Sequence, residues 1–566
     1  MILCCRRFFC IPPETINEYD LRIEDWKAII NEKQVINCIL SEPSEDQVKR
    51  SRDINVDVIN SLEALRKTNP DAKIEDLEQN KLNTPLPSVK LNYKDARDYM
   101  ETFRALVDRE AVIDKKEKES QSQSGISVRW DMSLKKKWVA IFFFPSTEDY
   151  GTNWFIGNEL KLSCNLPNGQ IWSARGHAVR MTPDDEVVLE LAVKNPPLEV
   201  SENYKVEFVW KSTTYSRIKS GLKRFYREED AISNYLYWRL LGYDSPSNKS
   251  YNLEVSNKIS APNLPKLNMY QNDAVKKALN SELTLIQGPP GTGKTITSAS
   301  IVYHLIENIR KKKLSGKVMV CAPSNIVVDH LAEKISMTGA KVVRVCSKSR
   351  EIVSASAEPL SLHHQVRSLD IPSCRKLKDY VRLIEETGEL SKEDEDNYKQ
   401  HLRQSENIIL EAADVICCTC VTSFDPRLKQ FRFPFVLIDE ATQAIESECL
   451  LPLLKGAKQV VLVGDHMQLG PVVICREAAN AGLKQSLFER LVKLQIKPIR
   501  LQVQYRMHPD LSVFPSNTFY EGALQNGVTA SDRKLNADFN WPSKDHPMFF
   551  WHVRGQEELS ASGTSY

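Results

Sequence analysis

The stretch Leu283-Thr-Leu-Ile-Gln-Gly-Pro-Pro-Gly-Thr-Gly-Lys-Thr295 decides the fold. Residues 283–287 read as a buried strand, and the pattern from Lys294 to about Arg310 reads as a helix. Between them, Gly288 to Thr295 fits GxxxxGK[ST]. Gly288, Gly291 and Gly293, with Thr292 among them, let the backbone curl so that its N–H groups point at phosphate oxygens. The helix N-terminus adds positive potential. Lys294 can reach the β- and γ-phosphates, and the Thr295 hydroxyl can ligate Mg²⁺.

Working outward, KVMVCA (317–322), KVVRVC (341–346), DVICCT (414–419), FVLID (435–439) and QVVLVG (459–464) alternate with helical patterns. That rhythm implies an α/β fold, a parallel sheet covered on both faces. Val436-Leu-Ile-Asp-Glu440 ends in two carboxylates at the sheet edge where such folds bind ligands. Asp439 can hold Mg²⁺ through water, and Glu440 can orient and deprotonate the attacking water. Gln468, in the loop after the last strand, can sense the γ-phosphate. Its neighbour His466 reads as an ordinary loop histidine. These pieces predict nucleoside-triphosphate binding with hydrolysis, and leave a motor, a kinase and a switch GTPase open. No NKxD guanine-recognition motif occurs.

Residues 92–114 predict a helix, 115–125 (KKEKESQSQSG) a solvated break, and 216–241 a return to helix. Between them, 126–212 holds short β-rich runs with turns at Pro167-Asn168-Gly169 and Pro183-Asp184-Asp185, which predict a small β-barrel. Ser245 to Pro265 reads as a linker, and 355–410 as a two-helix insertion. The chain has 566 residues, 42% hydrophobic and 27% charged. At about 150 residues per domain that means three or four domains. A net charge of +2 excludes a chain-wide basic coat, so any nucleic-acid grip lies in a local groove. The lysine runs 135–137 and 311–313 read as solvated faces. The longest apolar run, Trp138 to Phe144, is seven residues, against about 20 for a membrane span. With no signal peptide either, the expected location is cytoplasmic, with nuclear shuttling open. The thirteen cysteines read as buried reduced thiols.

QGPPGTGKT, CAPSN, LIDEATQ, GDHMQLGPVV and QYRMHP, in that order, resemble the superfamily-one RNA/DNA helicases. IVYHL after the phosphate loop, ADVICCTCV, SLFERLV (486–492) and FPSNTFYEGALQNGVTA (514–530) are similar to the up-frameshift helicase family within them. The resemblance runs from about residue 50 to the end and is strongest over 263–530. It implies RecA-like P-loop domains, the first (263–500) carrying a β-barrel (126–212) on a helical stalk (41–125 and 213–262) and a helical insertion. It also implies ATP, Mg²⁺, single-stranded RNA, a place in nonsense-mediated mRNA decay, and decay and translation termination factors as partners.

Residue by residue, Gln271 resembles the adenine-reading glutamine, Tyr505 the residue stacking on the base, and Arg506 the arginine reaching the γ-phosphate from the second RecA-like domain. Pro323, Ser324 and Asn325, with Thr419 and Thr422, resemble contacts to the RNA backbone. Such contacts position a strand without reading its bases. Two departures follow. Residues 1–40 look like the remnant of a Cys/His-rich module. Cys4, Cys5 and Cys10 do not complete four ligands, so no zinc is expected. Residues 501–566 cover only the start of a second RecA-like domain. The expectation is therefore an incomplete helicase, or in the alternative a nucleotide- and RNA-binding module without productive turnover.

Overall fold

The computed structural model describes residues 56–67, 85–133, 138–143, 159–181, 186–191, 195–245, 253, 259–348, 350–351, 357–368, 372–387, 390–534, 542, 548–552 and 554–555. Cys4, Cys5, Cys10, the lysine run 135–137 and the turn at Pro183-Asp184-Asp185 lie outside them, as does most of the linker expected over 245–265. The chain divides into two compact units, Met1–Thr84 and Pro85–Tyr566. In the first, the described residues form helix α1 (Val56–Arg66).

The second unit opens with helix α2 (Ala96–Ser120), capped by Asp95, whose carboxylate accepts from Asp98 N at 2.8 Å. Tyr99, Phe103, Leu106 and Val107 recur on one face and are buried. The helix crosses the break expected at 115–125 and continues to Ser120. Its last turns are rich in Lys and Glu, which are good helix formers, and Lys115 pairs with Glu119 at i,i+4. A solvated segment is not an unstructured one.

Seven antiparallel strands follow: β1 (Gln123–Ile126), β2 (Val128–Met132), β3 (Trp138–Phe143), β4 (Glu159–Asn165), β5 (Ile171–Met181), β6 (Glu186–Leu191) and β7 (Tyr204–Phe208). Their order is β1-β7-β4-β5-β6-β3-β2. The two outermost strands are consecutive in sequence, joined by Ser127 alone, so the sheet must curl until its rims meet. Alternate residues such as Leu160, Leu162, Leu189, Leu191 and Val206 fill the interior. Helices α3 (Thr213–Arg227) and α4 (Asn234–Leu241) lead back.

The parallel sheet contains β8 (Leu283–Gln287), β9 (Val318–Ala322), β10 (Val342–Arg344), β11 (Val415–Thr419), β12 (Phe435–Ile438), β13 (Gln459–Gly464) and β14 (Ile499–Arg500), in the order β10-β11-β9-β12-β13-β8-β14. Alternate residues serve opposite faces. Leu285, Met319, Ile416, Val436 and Leu462 pack with Phe103, Leu222 and Phe225 of the stalk. Ile286, Val320, Cys417, Leu437 and Val463 pack under α5 (Met269–Asn280), α6 (Lys294–Lys312) and α7 (Asn325–Ser336).

The insertion contains three helices, not two: α8 (Leu362–Ser368), α9 (Pro372–Thr387) and α10 (Lys392–Ala412). Helix α8 is too short to show a period. It is fixed by Gln365, whose amide donates to Val342 O and Leu360 O. Helices α11 (Glu446–Leu453) and α12 (Leu487–Lys493) cover the stalk-facing side. Past β14, β15 (Val503–Gln504), α13 (Pro509–Phe519) and β16 (Gln525–Asn526) begin a further parallel β-α-β unit. Cys164, Cys321, Cys346, Cys417, Cys418, Cys420, Cys449 and Cys475 are buried and carry no disulfide. Among the described residues no helix is long and apolar enough to cross a membrane.

Candidate nucleotide site and the adjoining strand ends

In the sheet order, β12, β13 and β8 lie side by side. Their C-terminal loops therefore line up as Asp439-Glu440, the Gln468 loop and the phosphate loop. Gly291 (φ +76°) and Gly293 (φ +80°) take the left-handed conformation. A Cβ at Gly291 would stand 2.5 Å from Arg506 Cβ, one at Gly293 2.6 Å from Gln271 Nε2, and one at Gly288 would collide with Lys294 Cγ. The glycines are thus required by close approach as well as by the turn. Gly288 N donates to Gly464 O at 2.9 Å, which ties the loop to β13. Lys294 Nζ donates to Gly288 O at 2.9 Å and pairs with Glu440 Oε1 at 3.3 Å. Thr295 is the second residue of α6, and Thr292 Oγ1 donates to Pro289 O.

Asp439 is 1% exposed. Burial first, then the charge of Glu440, push its carboxyl up to about 7, against the pull of Lys294. A buried carboxylate so disfavoured as an anion, next to a second carboxylate, is chemically suited to a divalent cation, and Thr295 and Asp439 are the residues that would hold Mg²⁺. Glu440 adopts φ +49°, a left-handed backbone in a non-glycine residue. Such conformations cost on the order of 1 kcal/mol and persist where the surroundings enforce them. Here Asp439 Oδ1 accepts from Glu440 N at 3.0 Å, and Gln443 donates to Glu440 Oε2.

Gln468 donates to Asp465 Oδ2 at 2.7 Å. Asp465, 1% exposed, also accepts from Gln287, Met467 N and Tyr520 OH. Sequence reasoning misses Asp465 and Tyr520. Asp465 stands inside the GDHMQ run, while Tyr520 has no local signal. His466 stacks on Phe488, and burial holds its imidazole below its usual range.

The turn 504–508 wraps around buried Gln504, whose Oε1 accepts from Arg506 N and Met507 N. This turns Tyr505 and Arg506 outward. Tyr505 N donates to Gly291 O at 2.9 Å, and its hydroxyl accepts from Asn268 Nδ2 at 3.0 Å. Asn268 and Gln271 form the capping box of α5: Gln271 Oε1 accepts from Asn268 N, and its Nε2 donates to Thr292 O at 3.0 Å. An amide has two donors and two acceptor lone pairs, so one of each remains for an adenine edge.

On the other side of the edge, Pro323, Ser324 and Asn325 follow β9. Ser324 is the N-cap of α7, accepting from Val327 N at 3.2 Å. Asn325 Oδ1 accepts from Arg344, which also binds Asp329. Thr419 and Thr422 are buried and bond each other at 2.7 Å. Lys311 and Lys313 end α6 in solvent, favourably placed for its dipole. Cys346, Glu351 and His363 bring ligand atoms within 4.8 Å of one another. Arg427 holds Glu351 at 2.9 Å, and the small cavity beside it is lined by both signs of charge, Arg344 and Arg350 with Asp329 and Glu358.

Loop, carboxylate pair, glutamine loop and outward arginine together define the class: a P-loop nucleotide-binding fold of the superfamily-one helicase type. Profiles described as "AAA domain" match residues 266–386, 373–476 and 483–566. "RNA helicase UPF1, 1B domain" matches 121–209, and "RNA helicase (UPF2 interacting domain)" matches 1–69. The chain is 49% identical to the Regulator of nonsense transcripts 1 homolog of Arabidopsis thaliana, over all of this chain and 45% of that one. It is 47% identical to the Drosophila melanogaster homolog (all of this chain, 48% of that one) and 46% to the ATP-dependent helicase upf1 of Schizosaccharomyces pombe (all, and 61%). The chain belongs to this family, the regulators of nonsense transcripts, and spans about half the length of the curated relatives it matches. The profile over 1–69 extends past the 1–40 expected for a remnant and belongs to a zinc-binding segment. That match stands against the expected absence of zinc.

Proposed function

We propose that this chain is the nucleotide-binding part of an ATP-dependent helicase that moves on single-stranded RNA in nonsense-mediated mRNA decay, in the cytoplasm. The observation that supports it most is the convergence on one loop: Lys294 within 3.3 Å of Glu440, and Tyr505 N bonded to Gly291 O at 2.9 Å. ATP is the substrate, and Mg²⁺ would neutralise its phosphate charge. Gln271 reads the adenine edge and Tyr505 stacks on the base. Lys294 and Arg506 stabilise charge on the transferring group, and Gln468 senses the γ-phosphate. Glu440 takes the proton of the attacking water.

Pro323, Ser324, Asn325, Thr419 and Thr422 line the RNA path, and the curled sheet and α9–α10 flank it and tune grip. The relative from Saccharomyces cerevisiae is likewise called an ATP-dependent helicase. The profile over 1–69 supports a decay factor as partner, and translation termination factors are proposed beside it. The test is RNA-stimulated ATP hydrolysis by this chain beside a longer one matching the length of its curated relatives. Stimulated turnover by both supports a helicase motor. Turnover only in the longer chain would favour a binding module. Neither turnover nor binding of labelled ATP with Mg²⁺ would end the proposal.

A further inference from the structure

Resting on that reading, we propose that Glu110, on stalk helix α2, is a positioning residue that couples the curled β1–β7 sheet to Gln468 by holding the backbone of the loop after β13. The sheet moves with the stalk. Helix α2 ends at Ser120, and β1 begins at Gln123. The returning α3 is locked to α2 by Lys219–Asp108 (2.9 Å) and by Tyr99 against Phe225 (5.1 Å between ring centres). Next to β7, Trp210 and Tyr215 both donate to Asp114 Oδ2, at 2.7 and 3.0 Å.

The loop 465–475 has no regular structure, so its backbone amides need other acceptors. Glu110, 7% exposed, supplies two: Oε1 accepts from Ile474 N at 2.8 Å and Oε2 from Cys475 N at 2.9 Å. A carboxylate on two successive amides fixes direction as well as distance, and such charge-assisted bonds are the stronger ones. Arg109, one position earlier, pairs with Glu477, and Val89 N donates to Ala481 O at 2.8 Å. Residues 474–481 therefore ride on the stalk. The other end of the loop is held by Asp465, which accepts from Gln468, Gln287 and Tyr520. Gln468 thus sits on a short bridge between a fixed strand end and a helix that carries the sheet. A stalk displacement changes where Gln468 stands. By linkage, RNA that shifts the sheet shifts nucleotide affinity.

The test uses a fluorescent, non-hydrolysable ATP analogue with Mg²⁺, with and without saturating single-stranded oligouridylate, on the full chain. The unaltered chain should show an RNA-dependent change in Kd of about fivefold or more, the usual lower range for coupled sites. In Glu110→Gln one oxygen acceptor is lost. The RNA-free Kd should stay within about twofold, while the RNA effect falls towards none. An unchanged RNA effect, even with a lowered melting temperature, would mark Glu110 as a structural anchor and overturn the proposal. So would an unaltered chain whose nucleotide affinity ignores RNA. Failure of the unaltered chain to bind the analogue at all would instead defeat the functional reading beneath it. Should the variant not fold, amide exchange on the unaltered chain decides: RNA must change the exchange of the Ile474 and Cys475 N–H groups, and no change overturns the coupling.

Discussion

Beyond the ends of β8 and β12, Lys294 and Glu440 pair with each other, and the turn carrying Tyr505 and Arg506 after β15 bonds to the phosphate loop at Gly291 O. At the ends of β9 and β11, Ser324 caps its own helix, while Thr419 and Thr422 bond each other out of solvent. The first group carries charge, left-handed backbone and forced glycines. The second uses small neutral groups already satisfied by the scaffold. A site that must stabilise moving charge needs unusual residues in unusual conformations. A track that holds a strand by its backbone can be made from a helix start and a turn, and such a track leaves little to distinguish it from ordinary capping.

The sharpest way to break this contrast is Glu440→Gln. Loss of a general base should lower single-turnover hydrolysis by about 10²–10⁴ while labelled-ATP affinity stays nearly unchanged. Retained turnover would remove the special status of the nucleotide side. Next, Lys294→Ala removes a charge-assisted contact of about 1.5–3 kcal/mol, so nucleotide affinity should fall roughly 10- to 100-fold by fluorescence titration. Third comes pH. With Asp439 pushed up to about 7, protons compete with Mg²⁺ below that value. Affinity for the metal should fall up to about tenfold per pH unit below 7 and level off above it, and Asp439→Asn should abolish the slope.

The sign for stability follows from the same group. Its folded pKa lies above the ordinary 3.8, so the folded state binds more protons between about 4 and 7. Metal-free stability therefore declines as pH rises through that window, and Asp439→Asn should raise the metal-free melting temperature at pH 8. The smallest effect is expected on the RNA side. Ser324→Ala should cost about 1 kcal/mol in denaturant unfolding through the lost cap. RNA affinity should weaken only severalfold by anisotropy titration. A loss as large as that of Lys294→Ala would show that the two sides are built alike.

What is legible in the sequence follows the same division. Strand β8 is readable to the residue, because an apolar run stops at a glycine loop. Strand β13 is readable because it too ends at a glycine, and β11 because it is a short apolar run. Helix α8 is not, since seven residues cannot display a helical period. The run after Asp114 misleads because its polarity resembles that of an unstructured segment, although it continues the helix. Lys294, Asp439 and Glu440 announce themselves through residue type at the right spacing. Glu110 and Tyr520 do not, because their partners lie far away in sequence, at Ile474–Cys475 and Asp465. Only the folded topology creates those pairs.

The buried Arg490 has a consequence of its own. With no exposed side-chain surface, its guanidinium reaches both oxygens of Glu446 and the carbonyls of Leu91 and Leu240, while Tyr99 OH donates to the same carboxylate. Removing two ions from water costs several kcal/mol each, so this cluster is a poor adhesive. What it provides is angular definition, since a rigid planar fork fits three chain segments in one orientation only. A Met/Leu replacement of the pair would orphan the Tyr99 hydroxyl and the Leu91 and Leu240 carbonyls, and would leave the seam between stalk and sheet free to swivel.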